Sequence, residues 1–176
     1  MSSAVLTVVV PSRDRPGPLG HCLRALAAQD VEVEVVVVDD GSLDEAAIAA
    51  SVQDALPTAR LLRGEGRGPA VARNLGATAA TTDLIAFTDD DCRPRPGWAG
   101  ALARRLTGDP TAAAAAGPTV VDPAAGSAAI AAQVVTNHLM DHSLDAATGR
   151  LGFAPTSNLA VRALVFGDLP FDQDFP

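Results

Sequence analysis

Residues Leu84 to Pro94 read "LIAFTDDDCRP": four apolar residues and a threonine run straight into three consecutive carboxylates. A short, continuous apolar run bounded by turn residues is the pattern of a strand buried on both faces, as in a parallel sheet. Three adjacent like charges repel one another, and solubility alone does not call for them at the end of a buried strand. Asp89, Asp90 and Asp91 therefore ask for a counter-charge. Hard divalent cations take oxygen ligands, and Mg²⁺ or Mn²⁺ commonly joins one or two carboxylates to substrate phosphates. Asp89 and Asp91 stand at i and i+2, so extended backbone would put them on one face. One could then serve a metal and the other a neighbouring hydroxyl. The plain alternative is a solvated acidic turn.

Outward from this stretch, strand and helix patterns alternate. "AVLTVVV" (4–10) is β-branched, short and stopped by Pro11, which predicts a buried strand. "GPLGHCLRALAAQD" (17–30) has helical spacing of its apolar residues. "VEVEVVVVDDGS" (31–42) begins alternating and turns continuously apolar, which predicts a strand running into the core. Ser42 is placed to cap a helix to about Ala55, with Glu45 at the capping-box position. "ARLLR" (59–63) predicts a short strand, followed by a glycine-rich loop and a helix. A turn at Pro94, Pro96 and Gly97 precedes a helix over about 97–107. "TAAAAAGPTVVD" (111–122) favours helix through its alanines. Its place in the alternation favours strand, which is the reading taken. Residues 126–142 read as helix and 152–161 as extended. This order implies right-handed crossovers and an α/β fold with a mostly parallel central sheet and helices on both faces.

In such sheets ligands bind outside the carboxyl ends of the strands. Three chemically loaded turns fall there: "PSRDRP" (11–16), "DDGS" (39–42) and "TDDDC" (88–92). Each alone is ordinary turn chemistry. Together, at matching strand ends, they mark a site. The glycine-rich loop "RGEGRGPAVARNLG" (63–76) offers a competitor, a dinucleotide site. Its spacing does not fit G-x-G-x-x-G, and it follows the third strand instead of the first. Arg73, a few residues past the loop, could meet a phosphate or neutralise the Asp cluster; Arg67 reads as well as a surface ion pair. His138 and His142 stand at i, i+4 but lack any accompanying metal-ligand pattern and read as surface or packing residues. Trp98 could stack on a ligand or anchor its helix. Cys92 sits beside negative charge, which disfavours a thiolate.

Composition narrows the classes. The 176 residues fit one domain. Apolar residues make up 48% and aromatics only 3%, so the chain is globular with an aliphatic core. A net charge of −8 argues against nucleic acid as partner. Its apolar runs are too short for a transmembrane segment. Two cysteines make no disulfide framework and, with a strand-like N-terminus, suggest a cytoplasmic protein.

"VVVPSRDRP", "VVVVDDGS", "GPAVARNLG", "IAFTDDDCRPRPGW" and "APTSNLAVR" resemble, in order and rough spacing, the motifs of family-two glycosyltransferases of the GT-A fold. The resemblance runs over essentially the whole chain. It implies inverting transfer from a nucleotide-diphosphate sugar donor to an acceptor hydroxyl, with Mg²⁺ or Mn²⁺ as cofactor. By position it puts Pro11, Ser12, Arg13 and Asp14 at the wall near base and ribose, and Asp40 at the base. It places Arg73 and Asn74 near the donor and Asn158 on the sugar side. Within the Asp-x-Asp motif, Asp89 lies by the ribose or sugar, Asp91 is the metal ligand and Asp90 stands between them among the donor-binding residues. Residues up to about 108 would form the nucleotide-binding half and 109–176 an incomplete sugar and acceptor side.

The resemblance is still running at "LPFDQDFP" (169–176), where the family continues into a Gly-Glu-Asp-type motif that supplies the catalytic base. Neither Asp172 nor Asp174 matches that motif, and neither is assigned as base. The expectation is that a further C-terminal segment or a protein partner provides it. A non-catalytic nucleotide-sugar-binding module, or half of a heteromeric enzyme, is the alternative. A nucleotidyltransferase is disfavoured, because "PSRDRPGP" is a poor match to a glycine-rich, basic first loop.

Overall fold

The computed structural model describes residues 4–122 and 126–174. Its centre is a six-stranded sheet. The first four strands are β1 (Thr7–Ser12), β2 (Glu34–Asp39), β3 (Arg60–Arg63) and β4 (Leu84–Phe87). β5 (Ala114–Ala116) and β8 (Leu159–Arg162) complete it. The order is β3-β2-β1-β4-β8-β5. β1 pairs in parallel with β2 and β4, and β2 with β3, whereas β8 runs antiparallel to both β4 and β5. A separate two-stranded ribbon joins β6 (Leu144–Asp145) to β7 (Arg150–Leu151).

Helices cover both faces, as the alternation predicts. On one side α1 (Pro16–Ala27), α2 (Glu45–Ala55) and α4 (Trp98–Thr107) pack in one cluster with Val8, Val10, Val35, Val37, Leu84 and Ala86. On the other, α3 (Pro69–Thr78) lies over Val9, Val36 and Val38. α6 (Ala163–Asp168) brings Phe166 to Ile85 and Phe87. Successive strand residues thus feed opposite layers, which is why β1 and β2 are near-continuous valine. α3 approaches so closely that a Cβ on Gly76 would stand 2.3 Å from Val9 Cγ1. α5 (Ser127–His142) contributes one buried side chain, Met140. Among the described residues no helix is long and apolar enough to cross a membrane.

Several boundaries differ from the sequence reading for identifiable reasons. β1 does not stop at Pro11 but pairs through Ser12, opposite Asp39. Its pairing with β4 ends at Val9–Phe87, so the missing proline N–H faces no partner on that side. Ser42 is not the cap of α2. Asp44 is, accepting a hydrogen bond from Ala47 N–H at 2.9 Å. Ser42 is buried and bridges two loops instead. In "TAAAAAGPTVVD" only Ala114–Ala116 is strand, and the extended stretch 152–161 contains a 3₁₀ turn, Thr156–Asn158, before β8. Of "LPFDQDFP", the last two residues lie outside the described residues.

Candidate active site

Because β1 to β4 are parallel, their carboxyl ends lie along one edge. The chain leaves β1 towards β2 and β3 on one side, and β4 lies on the other. That is the topological switch point at which an open α/β sheet forms its crevice. The cleft found here is lined by Pro11, Ser12, Arg13, Arg15, Asp40, Gly68, Pro69, Arg73, Asp89, Asp90 and Asp91. Seven of the residues singled out from sequence for donor binding therefore meet in one place, with Asp91. Asp14, Asn74 and Asn158 do not line it.

The Asp cluster is a turn, not the extended segment expected, closed by Cys92 N–H donating to Asp89 C=O at 3.0 Å. The turn still brings Asp89 and Asp91 together and turns Asp90 away, as extended backbone would have done. Ligand atoms of Asp89, Asp91 and Cys92 all lie within 4.8 Å of one another. Asp90 turns inward, with its side chain only 6% exposed, and accepts from Ser12 Oγ at 2.8 Å. Burial pushes its carboxyl above the usual range, against the pull of Ser12 and Arg15 and with help from Asp91 and Asp89. Two guanidinium groups answer the negative charge. Arg15 reaches Asp90 Oδ1 at 3.0 Å and Asp91 Oδ2 at 2.9 Å, while Arg73 Nη2 meets Asp89 Oδ1 at 2.6 Å. Arg73 Nε is buried without a hydrogen-bond partner among the described residues. A buried N–H left unpaired is costly unless something occupies the space beside it. Burial, more than the neighbouring carboxylates, also raises the Cys92 thiol, in keeping with an unreactive thiol.

Asp40 performs a structural task as well. Its Oδ1 accepts from Gly66 and Arg67 N–H at 3.0 and 3.2 Å, and Oδ2 from Gly68 N–H at 2.8 Å. The amides of the glycine-rich loop, which would otherwise make an anion nest, are filled by the protein's own carboxylate. This is the physical reason that the loop is no phosphate-binding fingerprint. The β2 and β3 loops touch where Gly41, at φ +77, faces Gly66, so close that a Cβ on Gly41 would lie 2.9 Å from Gly66 Cα.

Asp14, at φ 56, knits the first two loops together. Its N–H donates to Ser42 Oγ at 2.8 Å, and its Oδ1 accepts from Leu43 N–H at 2.7 Å. Asn74 clamps the backbone of Phe171, donating to its carbonyl at 2.8 Å and accepting from its N–H at 3.0 Å. Asn158 accepts from Trp98 Nε1–H at 2.9 Å and donates to Pro118 C=O at 3.1 Å. Trp98 thus anchors its helix to the β8 turn. His138 and His142 stack on α5, away from the cleft-lining set. Sequence reasoning missed Arg15. The only signal for it was a second arginine in "SRDRP", whose partner is fixed by tertiary structure.

The parallel sheet edge thus carries a carboxylate turn and two facing arginines at its switch point. The chain belongs to glycosyl transferase family 2, whose family model matches residues 7–152. It is 37% identical over 116 residues to the pre-mycofactocin glycosyltransferase of Mycobacterium tuberculosis (strain CDC 1551 / Oshkosh), an overlap covering 66% of this chain and 23% of that protein. It is also 37% identical over 91 residues to the 4,4'-diaponeurosporenoate glycosyltransferase of Staphylococcus aureus (strain bovine RF122/ET3-1), covering 49% and 24%. The chain thus spans about a quarter of the length of these curated relatives. Among solved structures, S. aureus TarS 1–349 in complex with UDP superposes with a TM-score of 0.74 at 19% identity, over 96% of this chain and 50% of that one. Glucosyl-3-phosphoglycerate synthase of M. tuberculosis, solved with Mn²⁺, UDP and glucosyl-3-phosphoglycerate, gives 0.63 at 18%, over 94% and 59%. These likenesses establish the GT-A fold.

Proposed function

We propose that this domain binds a nucleotide-diphosphate sugar with Mg²⁺ or Mn²⁺, and that the protein it serves transfers the sugar to an acceptor hydroxyl with inversion. The observation that carries the reading is the convergence of Asp89 and Asp91 opposite Arg15 and Arg73 at the β1/β4 crevice. The donor set suits a hard cation, since its two carboxylates offer oxygen. Asp91 and Asp89 are the residues that would hold the metal, Asp91 being the more open at 54% side-chain exposure. Such an ion, when bound, neutralises charge building on a departing diphosphate.

The chain's own residues do the rest. Arg73, held by Asp89 at the cleft wall, offers a fixed cation to a phosphate. Pro11, Ser12 and Arg13 form one wall of the cleft and Asp40 the floor of the neighbouring loop, where base and ribose would lie. Residues up to about 108 supply this nucleotide-binding half; those beyond form the sugar and acceptor side. Asn158, tied to Trp98 and Pro118, stands on that sugar side, and Asn74, tied to Phe171, stands near the donor.

Thermal unfolding tests the reading. UDP should raise stability only with Mg²⁺ or Mn²⁺ present, by about 2.7 kcal/mol at a ligand concentration 100-fold over Kd. Asp91→Asn should abolish the metal-dependent part and leave the metal-free melting curve intact. Equal stabilisation by NAD without metal would sink the proposal.

A further inference from the structure

We propose that Arg15 is the resident counter-cation of the carboxylate cluster, which a divalent metal must displace and which the donor's diphosphate then takes up. The inference rests on the donor-and-metal reading above and adds regulation to it: nucleotide and metal bind cooperatively because one arginine changes partners.

The two arginines of the site are held very differently. Arg73 rises from α3 with 12% of its side chain exposed, pairs with Asp89 and lies over the Phe171 ring at 6.0 Å. Arg15 is the residue preceding the first turn of α1, and its backbone is fixed there. Its carbonyl accepts from Leu19 N–H at 3.1 Å, and Pro16 follows. The side chain is 47% exposed and bridges Asp90 and Asp91 at 3.0 and 2.9 Å. A half-exposed side chain on an anchored backbone can change partner without disturbing the fold.

Asp91 is where the conflict falls. Its Oδ2 is the atom that Arg15 Nη2 holds, and Asp91 also belongs to the group whose oxygens converge with those of Asp89. A divalent cation on that carboxylate would sit beside a guanidinium, and two cations sharing one carboxylate repel. Arg15 is therefore a competitor for the metal's ligand. Asp90 survives its departure, because Ser12 Oγ still donates to the buried carboxylate. A guanidinium fork matches two phosphate oxygens as well as two carboxylates. Arg15 also lines the same cleft, so a diphosphate there offers it a new partner at short range. Without nucleotide, releasing Arg15 leaves it in water and metal binding is weak; with nucleotide, the release is compensated.

Mn²⁺ titration followed by the paramagnetic resonance signal of the free ion tests this without any turnover. Wild type, Arg15→Gln, Arg15→Lys and Asp91→Asn are each titrated with and without UDP, after thermal melts confirm folding. Arg15→Gln should bind Mn²⁺ alone more tightly than wild type, on the order of 5- to 10-fold, at the low end of coupling between sites. UDP should tighten Mn²⁺ binding less in Arg15→Gln than in wild type, and Arg15→Lys should fall between them. Loss of an arginine that is only structural would loosen the site, not tighten it. Equal or weaker binding of Mn²⁺ by Arg15→Gln, with Asp91→Asn still abolishing it, would overturn the role of Arg15 alone. Absence of Mn²⁺ binding in wild type, with or without UDP, would overturn both this inference and the metal reading beneath it.

Discussion

The residues up to about 108 and those beyond them use apolar side chains in opposite ways. In the first region Val8, Val9 and Val10 of β1 and Val36, Val37 and Val38 of β2 are all fully buried. In the second, the sixteen residues of α5 bury Met140 alone and leave Val134 and Leu139 62% and 51% exposed. Every side chain lining the cleft belongs to the first region. The carboxylate turn and its arginines thus stand on elements whose positions are fixed by packing on both faces of the sheet. That is the requirement for holding charges within a few tenths of an ångström of a working geometry. The second region supplies two strands, β5 and β8, to the sheet.

The sharpest way to break this comparison is at the residue that joins the two regions. Phe87 closes β4 immediately before the Asp turn and is fully buried. Its ring centroid lies 5.4 Å from that of Phe166 and 5.0 Å from that of Phe171, both in the second region. Phe87→Ala should cost about 3–5 kcal/mol in chemical denaturation. It should also free the 169–174 segment, seen as faster backbone amide exchange there. A cost under about 1 kcal/mol would mean that the aromatic trio does not tie the regions together.

Gly76→Ala probes the first region from the helix side. A methyl group there would meet Val9 Cγ1 at 2.3 Å and Val38 Cγ2 at 3.1 Å, so α3 must lift from the sheet. Overpacking of this kind costs about 1–3 kcal/mol. Since α3 carries Arg73, the same substitution should weaken UDP binding, measured by calorimetry, although residue 76 touches no part of the cleft.

The two regions also differ in how much of them the sequence discloses. β1, β2 and β4 are legible because their valine-rich runs satisfy a local rule, burial on both faces. The carboxylate turn is legible because three adjacent charges after such a run need an answer. The place of β8 is not legible. It inserts antiparallel between β4 and β5, and pairing between strands so far apart in sequence leaves no trace in either one's local pattern. β5 is three alanines whose helix propensity is overridden by the edge that β8 presents. Ser42 reads as a cap in sequence, but Asp44 also carries a capping oxygen and takes the position, while Ser42 is engaged by Asp14, Asp39 and Arg63. Arg15, Asn74 and Asn158 show the same limit: polar residues are visible in sequence, but their partners are not.

A smaller effect separates the strands' near end from the cleft. Glu34, at the start of β2, lies at the opposite end of the sheet from the site. It accepts from Thr7 Oγ1 at 2.6 Å, from Thr81 N–H and Oγ1 at 3.0 and 2.8 Å, and from Arg60 Nη1 at 2.9 Å. Burial pushes its carboxyl up, but these hydrogen bonds outweigh burial and hold it below the usual range. A carboxyl whose pKa is lower in the folded state stabilises the fold above its unfolded value. That stability is lost as pH falls through the folded value. Wild-type stability should therefore drop on acidification below about pH 4, and Glu34→Gln should flatten part of that drop while costing about 1 kcal/mol at pH 7. UDP binding at pH 7 should be unchanged, since no Glu34 contact reaches the cleft.

The smallest expected effect lies within α5 itself, where one helix contains both kinds of environment. Val134→Ser replaces a side chain that is 62% exposed, so little apolar area leaves or enters water on folding. The change should stay within about 0.5 kcal/mol, as surface substitutions away from special features do. Met140 is 5% exposed on the same helix, six residues further along. Met140→Ala removes buried atoms and leaves a cavity, at about 2–5 kcal/mol in a rigid core. Because α5 buries no other side chain among the described residues, its surroundings can collapse into the space, and the cost should fall at or below the low end of that range. Denaturation of the pair measures how firmly α5 is docked. A Met140→Ala cost matching that of Phe87→Ala would place α5 in the same cooperative unit as the sheet. A cost as small as that of Val134→Ser would make α5 an appendage whose single buried methionine does not hold it down, and the division between the two regions would then run along its edge.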